Sequence, residues 1–186
     1  SNGMVEVGVR IIRANFRTLR ACIQRRLNRE IPVSHPIMAW LIEHCCTLNN
    51  ILVKGEDGLT PWTRARGRPF GQRLLGFCEV VLYKLPVKGP QHDEEGNMAP
   101  RFAQGIFLGY SKDSNTYLVA TTKGITTSRA LQRRPVEARW DVDAVTSVQA
   151  TPWQYSLRPD PTVVLRPNID GEALQEFPDK VATLPR

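Results

Sequence analysis

Gly105-Ile106-Phe107-Leu108-Gly109-Tyr110, Thr116-Tyr117-Leu118-Val119-Ala120-Thr121 and Ile125-Thr126-Thr127-Ser128-Arg129-Ala130 decide the fold. The runs are short and dense in β-branched and aromatic residues. Polar links, Ser111–Asn115 and Thr122-Lys123-Gly124, separate them. Short runs of this composition joined by short polar links read as strands of an antiparallel meander. Phe77-Cys78-Glu79-Val80-Val81-Leu82-Tyr83 adds an earlier strand, set off by a polar excursion from Lys88 to Arg101.

Four or five short strands over residues 71–140 predict a small antiparallel SH3-like barrel or curled sheet. Before residue 70 the period is helical. Val5, Val9, Ile12, Phe16, Leu19, Ile23 and Leu27 fall at intervals of three and four, predicting a helix over 4–28. Ser1 or Asn2 is placed to cap it. A second helix is expected over about 36–51, capped by Ser34, with Trp40, Leu41 and His44 on its buried face. Thr60-Pro61 should open a short helix that Gly67 ends. From residue 141 the periodicity dissolves. Six of the 14 prolines fall in 141–186, which reads as an irregular, disordered tail. The organisation is therefore α+β: helices over 1–70, a β domain over 71–140 and a Pro-rich stretch over 141–186.

Charge is unevenly spread. The chain carries +7 in all; residues 1–70 hold 11 Lys/Arg against 5 Asp/Glu, and residues 141–186 hold 4 against 7. A basic body suits polyanions, though ordinary surface charge accounts for the total equally well. Within the first helix, Glu6, Arg10, Arg13, Arg17 and Arg20 follow the apolar stripe one residue later. One residue is about 100° of helical turn, so the charged stripe lies beside the core stripe. Either it is a solvated helix face, or it is a row of cations for phosphates. Arg64, Arg66 and Arg68 beside Trp62 make a second basic patch in a loop, again either backbone-phosphate contacts or plain surface. Cys22, Cys45, Cys46 and Cys78 lack metal-ligand spacing and read as free thiols. No apolar run approaches the roughly 20 residues of a membrane span. No Gly-rich phosphate loop, nucleophile elbow or metalloprotease histidine pair is present.

Taken in order, several motifs resemble the integrase of copia-type (Pseudovirus) retrotransposons, a part of the Pol polyprotein. Ser1-Asn2-Gly3-Met4-Val5-Glu6 is similar to the element carrying the last carboxylate of the DDE catalytic core. Arg17-Thr18-Leu19-Arg20 and Trp40-Leu41-Ile42-Glu43-His44 resemble the helices that follow. Asp57-Gly58-Leu59-Thr60-Pro61-Trp62 with Arg66-Gly67-Arg68 resembles the element closing the core, and the strands at 77–81 and 105–110 resemble those after it. The resemblance covers about 1–140.

The resemblance implies the helical C-terminal end of an RNase H-like core followed by the small β domain. It implies a parent polynucleotidyl transferase that integrates DNA using Mg²⁺ or Mn²⁺ held by three carboxylates. Glu6 would be the third, at once catalytic and metal-binding; the first two would lie upstream, so this stretch is not expected to act alone. Taken by itself, Glu6 also reads as a first-turn acid serving the helix dipole. Arg10 and Arg13 would contact DNA ends, with Arg17, Arg20, Arg64, Arg66 and Arg68 extending the phosphate contacts. The expected partners are retroelement and target DNA, the rest of the integrase or Pol polyprotein, and further copies of the parent, with no membrane. The setting implied is intracellular, in the nucleus or a cytoplasmic virus-like particle. The alternative is a non-catalytic basic module that binds nucleic acid or protein.

Overall fold

A long helix with one buried end and one bare end begins the structure. The computed structural model describes residues 3–85 and 100–156. The cap at Ser1 or Asn2, most of the excursion from Lys88 and the stretch beyond 156 lie outside the described residues. Helix α1 spans Gly3–Leu27. Its apolar stripe changes character along its length. Val5 is 68% exposed and Val9 44%, Ile12, Phe16 and Leu19 are half-buried, and Ile23 and Leu27 are buried. Each fully buried side chain of this size contributes about 1.5–3 kcal/mol over an exposed one, so the inner turns fix the helix. Asn28 ends it at φ 49, and the Arg29 N–H returns to the Gln24 carbonyl at 3.1 Å. Asn tolerates this left-handed geometry better than most residues.

Helix α2 (Ile37–Leu52) packs on α1 and carries the expected buried face, including Trp40, Leu41 and His44. Its start differs from the sequence-based expectation. Ser34 does not cap it. Pro36 already holds helical angles, and His35 Nδ1 accepts the Ile37 N–H at 3.2 Å. The other ring nitrogen, Nε2, donates to the Thr146 carbonyl at 3.1 Å. Helix α3 (Pro61–Arg66) follows its signals: Thr60 Oγ1 accepts the Thr63 N–H at 3.1 Å, and Gly67 closes the helix at φ 67.

Five strands make one open antiparallel sheet: β1 (Val80–Lys84), β2 (Phe102–Tyr110), β3 (Tyr117–Thr121), β4 (Gly124–Ser128) and β5 (Leu131–Arg133). Their order is β4-β3-β2-β1-β5. The fold is thus α+β, helices beside an antiparallel sheet. Both sheet faces are covered. Val80, Ile106, Leu118 and Ala120 join the helices in one cluster, while Val81, Phe107, Tyr110, Tyr117 and Val119 form a second with Phe70 and Leu75. A β-bulge at Leu108 sets Leu108 and Gly109 opposite Leu118. It restores alternation so that Tyr110 rejoins the face of Phe107. Gly105 is required where it stands: a Cβ would collide with the Val119 side chain and lie 2.8 Å from the Ala120 carbonyl.

The irregular stretch expected from residue 141 is structured as far as it is described. Asp141 caps helix α4 (Val142–Thr146), accepting the Asp143 and Ala144 N–H groups at 3.0 Å each. Val145 is fully buried in the helix–sheet cluster, and the Trp40 indole N–H donates to the Ala150 carbonyl at 2.8 Å. Helix α4 is too short to show a helical period, which is why sequence periodicity misses it.

Glu79 and His44 are the buried ionisable acid and base of this core. Glu79 is fully buried ahead of β1. Arg133 Nε and a terminal guanidinium nitrogen sit 2.6 and 2.8 Å from its two oxygens. The Gly76 N–H donates at 3.1 Å, and Arg139 stands at 3.4 Å. Burial pushes this carboxyl's pKa up, but the Arg133 pair, the Gly76 N–H and Arg139 outweigh it and hold the group below the usual carboxylate range. His44 is the opposite case. It is ringed by Phe77, Phe107 and Tyr110 at 5.1, 5.9 and 6.3 Å between centroids, and its Nδ1 has no hydrogen-bond partner. Burial lowers its pKa to about 4.

Glu79→Ala strands two guanidinium groups and should lower the unfolding free energy by about 3–5 kcal/mol; urea denaturation measures it, and a loss under about 1 kcal/mol denies Glu79 this role. Acid stability tests His44. The unfolded chain takes up a proton near pH 6.5 that folded His44 refuses until about pH 4. Stability should therefore fall as pH drops through that window, by up to about 3 kcal/mol from this group. His44→Phe should remove that part of the slope.

Candidate nucleic-acid interface

The interface candidate is built on α1. Glu6 sits in its first turn, where a carboxylate meets the positive end of the helix dipole. Arg10, Arg13 and Arg17 follow at intervals of four, three and four along the same side. All four are exposed, and none has a hydrogen-bond or ion-pair partner among the described residues. At 1.5 Å per residue the row runs about 16 Å along the axis. A helix supplies a rigid backbone to such a row, while the side chains remain free to reach phosphates.

Arg20 continues the spacing but not the row. Its guanidinium donates to the Ile31 carbonyl at 3.0 Å, its Nε is buried without a partner, and the residue is half-buried. It ties the end of α1 to the segment entering α2. The turn from α1 to α2 brings Ile31 within reach, which the one-dimensional stripe does not reveal.

The second basic patch divides in the same way. Arg64 pairs with Asp57 through two contacts, at 2.5 and 2.8 Å. That hydrogen bonding, followed by the Leu59 N–H, holds the Asp57 carboxyl down to about 2. The pair closes the 55–64 loop on itself; as an exposed pair it adds little to stability. Arg66 lies 5.1 Å over the Trp62 ring and donates to the Lys112 carbonyl. Trp62 is half-buried and meets Phe70 edge-on at 5.1 Å. Arg68 is exposed and unpartnered among the described residues. The structure therefore brings together Glu6, Arg10, Arg13 and Arg17, leaves Arg68 free elsewhere, and gives Arg20, Arg64 and Arg66 intramolecular partners.

At the far end of the sheet, Arg133 belongs to the Glu79 pair, and Arg134 donates to the Gln104 side chain at 2.9 Å. The buried Glu79 cluster was visible in the sequence in one respect. An acid between Cys78 and Val80-Val81, inside an apolar run, requires a cation to accompany it.

Among the described residues, no group of three or more His, Cys, Asp or Glu is placed to hold a metal ion. Glu6 offers a single carboxylate, and divalent centres of the two-metal kind need several hard oxygen ligands. The described residues by themselves do not complete such a centre. Cys22, Cys45, Cys46 and Cys78 are free thiols. No helix among the described residues is long and apolar enough to cross a membrane. Comparison with protein-family models, curated proteins and solved structures gives no match.

Arg20 and Arg17 should separate by experiment. Arg20→Ala is expected to cost about 1–2 kcal/mol of stability, through the lost bond to Ile31. Arg17→Ala should cost less than about 0.5 kcal/mol, as an exposed change without partners. Equal losses in thermal or urea unfolding contradict the division between them.

Proposed function

We propose that this chain is a DNA-contacting piece of a copia-type integrase, comprising the helical end of an RNase H-like core and a small SH3-like β domain. One observation carries the reading: Glu6, Arg10, Arg13 and Arg17 stand in a row on α1, exposed and unpaired among the described residues. A row that served only the fold would be expected to find partners, as Arg20 does. The motif order from Glu6 to Tyr110 supports the family assignment. Exposed Val5, Val7, Val9 and Ile11 on the outer half of α1 support the view that further structure of a longer parent covers that end. The SH3-like assignment is supported by the strand order β4-β3-β2-β1-β5, in which the last strand returns to pair with the first.

In this reading α1 places Glu6 at the edge of the catalytic core of the longer parent, as one carboxylate of a triad. The Mg²⁺ or Mn²⁺ pair bound there would supply activation of the attacking oxygen and stabilisation of the leaving one. The chain's own residues bind and orient DNA. Arg10, Arg13 and Arg17 neutralise successive phosphates, which positions the duplex and carries no base information. DNA partners, copies of the parent and an intracellular setting follow from the same reading. A second reading rests on a separate observation. Residues from α1, α2, the sheet and α4 share one buried cluster, from Ile23 to Val148. That continuity suits a self-contained basic module without catalytic function.

The salt dependence of duplex binding tests the interface. Arg10→Ala with Arg13→Ala should weaken binding and lower the slope of log affinity against log salt by about 2, at roughly 0.9 per phosphate contact. Fluorescence anisotropy with a blunt duplex measures both, and an unchanged slope removes these arginines from the interface.

A further inference from the structure

The arginine row of α1 has an apolar stripe on each side. On one side lies the core stripe, whose outer members are Val5 and Val9. On the other lie Val7, Ile11 and Ala14, at intervals of four and three. At about 100° per residue this second stripe stands beside Arg10 and Arg17 and turns away from the core stripe. All three residues are exposed, Val7 at 44% and Ile11 at 39%. A partner that prolonged the core stripe would cover Val5 and Val9 and leave Val7 and Ile11 in water. Arg10, Arg13 and Arg17 have no partner among the described residues. The outer half of α1 thus presents a mixed face, three guanidinium groups beside a short apolar ridge.

The chain itself carries a segment of matching chemistry. Asn168-Ile169-Asp170-Gly171-Glu172-Ala173-Leu174-Gln175-Glu176-Phe177-Pro178-Asp179 holds four carboxylates and no Lys or Arg. Ile169, Leu174 and Phe177 are interleaved with the acids. A second acidic run, Asp93-Glu94-Glu95, is flanked by His92 and Gly96 and offers nothing apolar to Val7 and Ile11. The tether is long enough. Ser156 bridges Gly124 at the start of β4, and the Ile125 N–H donates to the Tyr155 carbonyl at 2.8 Å. Eleven residues, 157–167, separate that anchor from Asn168. At 3.3–3.6 Å each they can span roughly 36–40 Å, against a radius of gyration of about 15 Å for a domain of this size.

We propose that residues 168–179 dock on this face of α1 as its own displaceable cover. The segment brings four negative charges and no positive ones to a row of three arginines. A guanidinium can meet a carboxylate through two parallel N–H···O bonds. Each exposed pair is worth little alone, but a tether raises the effective concentration to about the millimolar range, so weak contacts suffice. Ile169, Leu174 and Phe177 give Val7 and Ile11 an apolar counterpart, which a purely ionic partner lacks. Glu6 at the outer end of the row repels the segment and directs it toward Arg10, Arg13 and Arg17. A polyanion must displace the segment to reach those arginines. Exposure of the face and composition of the segment carry this assignment, independently of the DNA reading.

NMR of the full chain tests this. Nuclear Overhauser cross-peaks are expected between the Phe177 ring and the Val7 and Ile11 methyl groups, and they should persist on dilution. Asp170→Asn, Glu172→Gln, Glu176→Gln and Asp179→Asn together should abolish them and shift the Arg10, Arg13 and Arg17 side-chain resonances. Raising salt from about 0.1 M to 1 M, which shortens the screening length from about 10 Å to 3 Å, should weaken them in the unaltered chain. The Trp40 indole N–H, bonded to the Ala150 carbonyl, should keep its resonance in both chains and so reports that the core is folded. Absence of the cross-peaks at low salt overturns the proposal, as does their survival in the neutralised chain. Cross-peaks found only between differently labelled copies give the face to a second chain and overturn it. So do α1 resonances that respond instead to Asp93→Asn, Glu94→Gln and Glu95→Gln. None of these readouts involves DNA, so failure of duplex binding leaves the result standing.

Discussion

A carboxylate with no access to solvent governs how this chain closes. Glu79 precedes β1 in a segment whose neighbours Cys78, Val80 and Val81 are all buried. Isolated there, its charge would cost several kcal/mol. The fold answers by bringing Arg133 from β5 and Arg139 from the turn after it, and by aiming the Gly76 N–H at the same group. The Val80 N–H donates to the Arg139 carbonyl at 2.8 Å, so backbone and side chain converge on one point. A three-residue strand such as β5 has little ladder of its own. Its position beside β1 is set by the charge it must deliver. That placement in turn carries the chain toward Trp140, whose ring lies 4.6 Å from the Arg26 guanidinium of α1, and on to α4.

The same logic separates the arginines that build the molecule from those available to a partner. Arg20, Arg133 and Arg139 reach carbonyls or a buried carboxylate, and Arg64 closes a loop on Asp57. Arg10, Arg13, Arg17 and Arg68 reach nothing among the described residues. A guanidinium held by a carboxylate must exchange one ion pair for another before it can meet a phosphate. One left in water only sheds solvent and counterions. Net charge therefore says little about where a polyanion would sit; the division between engaged and free cations says more.

Much of this was legible in the sequence, and the misses share a cause. Short β-branched and aromatic runs between polar links gave β2, β3 and β4, and the three-four spacing gave α1 and α2, because those signals are local. The Thr60-Pro61 and Gly67 signals gave α3 for the same reason. The cap of α2 was misassigned to Ser34 because Pro36 is itself helical and shifts the role to His35, whose ring then also meets Thr146 more than a hundred residues away. Strand β5 and helix α4 were invisible because three and five residues carry no period. The spacing of Glu6, Arg10, Arg13 and Arg17 on α1 is local and shows in the sequence, but Arg20 leaves the row for a carbonyl that only the chain reversal brings near. Pairings that join distant segments decide each of these cases, and no window of sequence contains them.

Helix α1 combines both halves of this account. Its inner turns are fixed by Ile23, Leu27 and the Arg20–Ile31 bond, while its outer turns carry the free arginines beside exposed Val5, Val7 and Val9. An α-helix is stiff over this length, so anchoring one end fixes the direction of the other. The row of cations is thereby presented at a set angle to the sheet without a contact of its own to hold it there. Such a row loses little conformational freedom of the backbone when a ligand arrives, because folding the core has already ordered it. The side chains still have to be immobilised, and it is their freedom, not that of the helix, that a phosphate backbone would have to overcome.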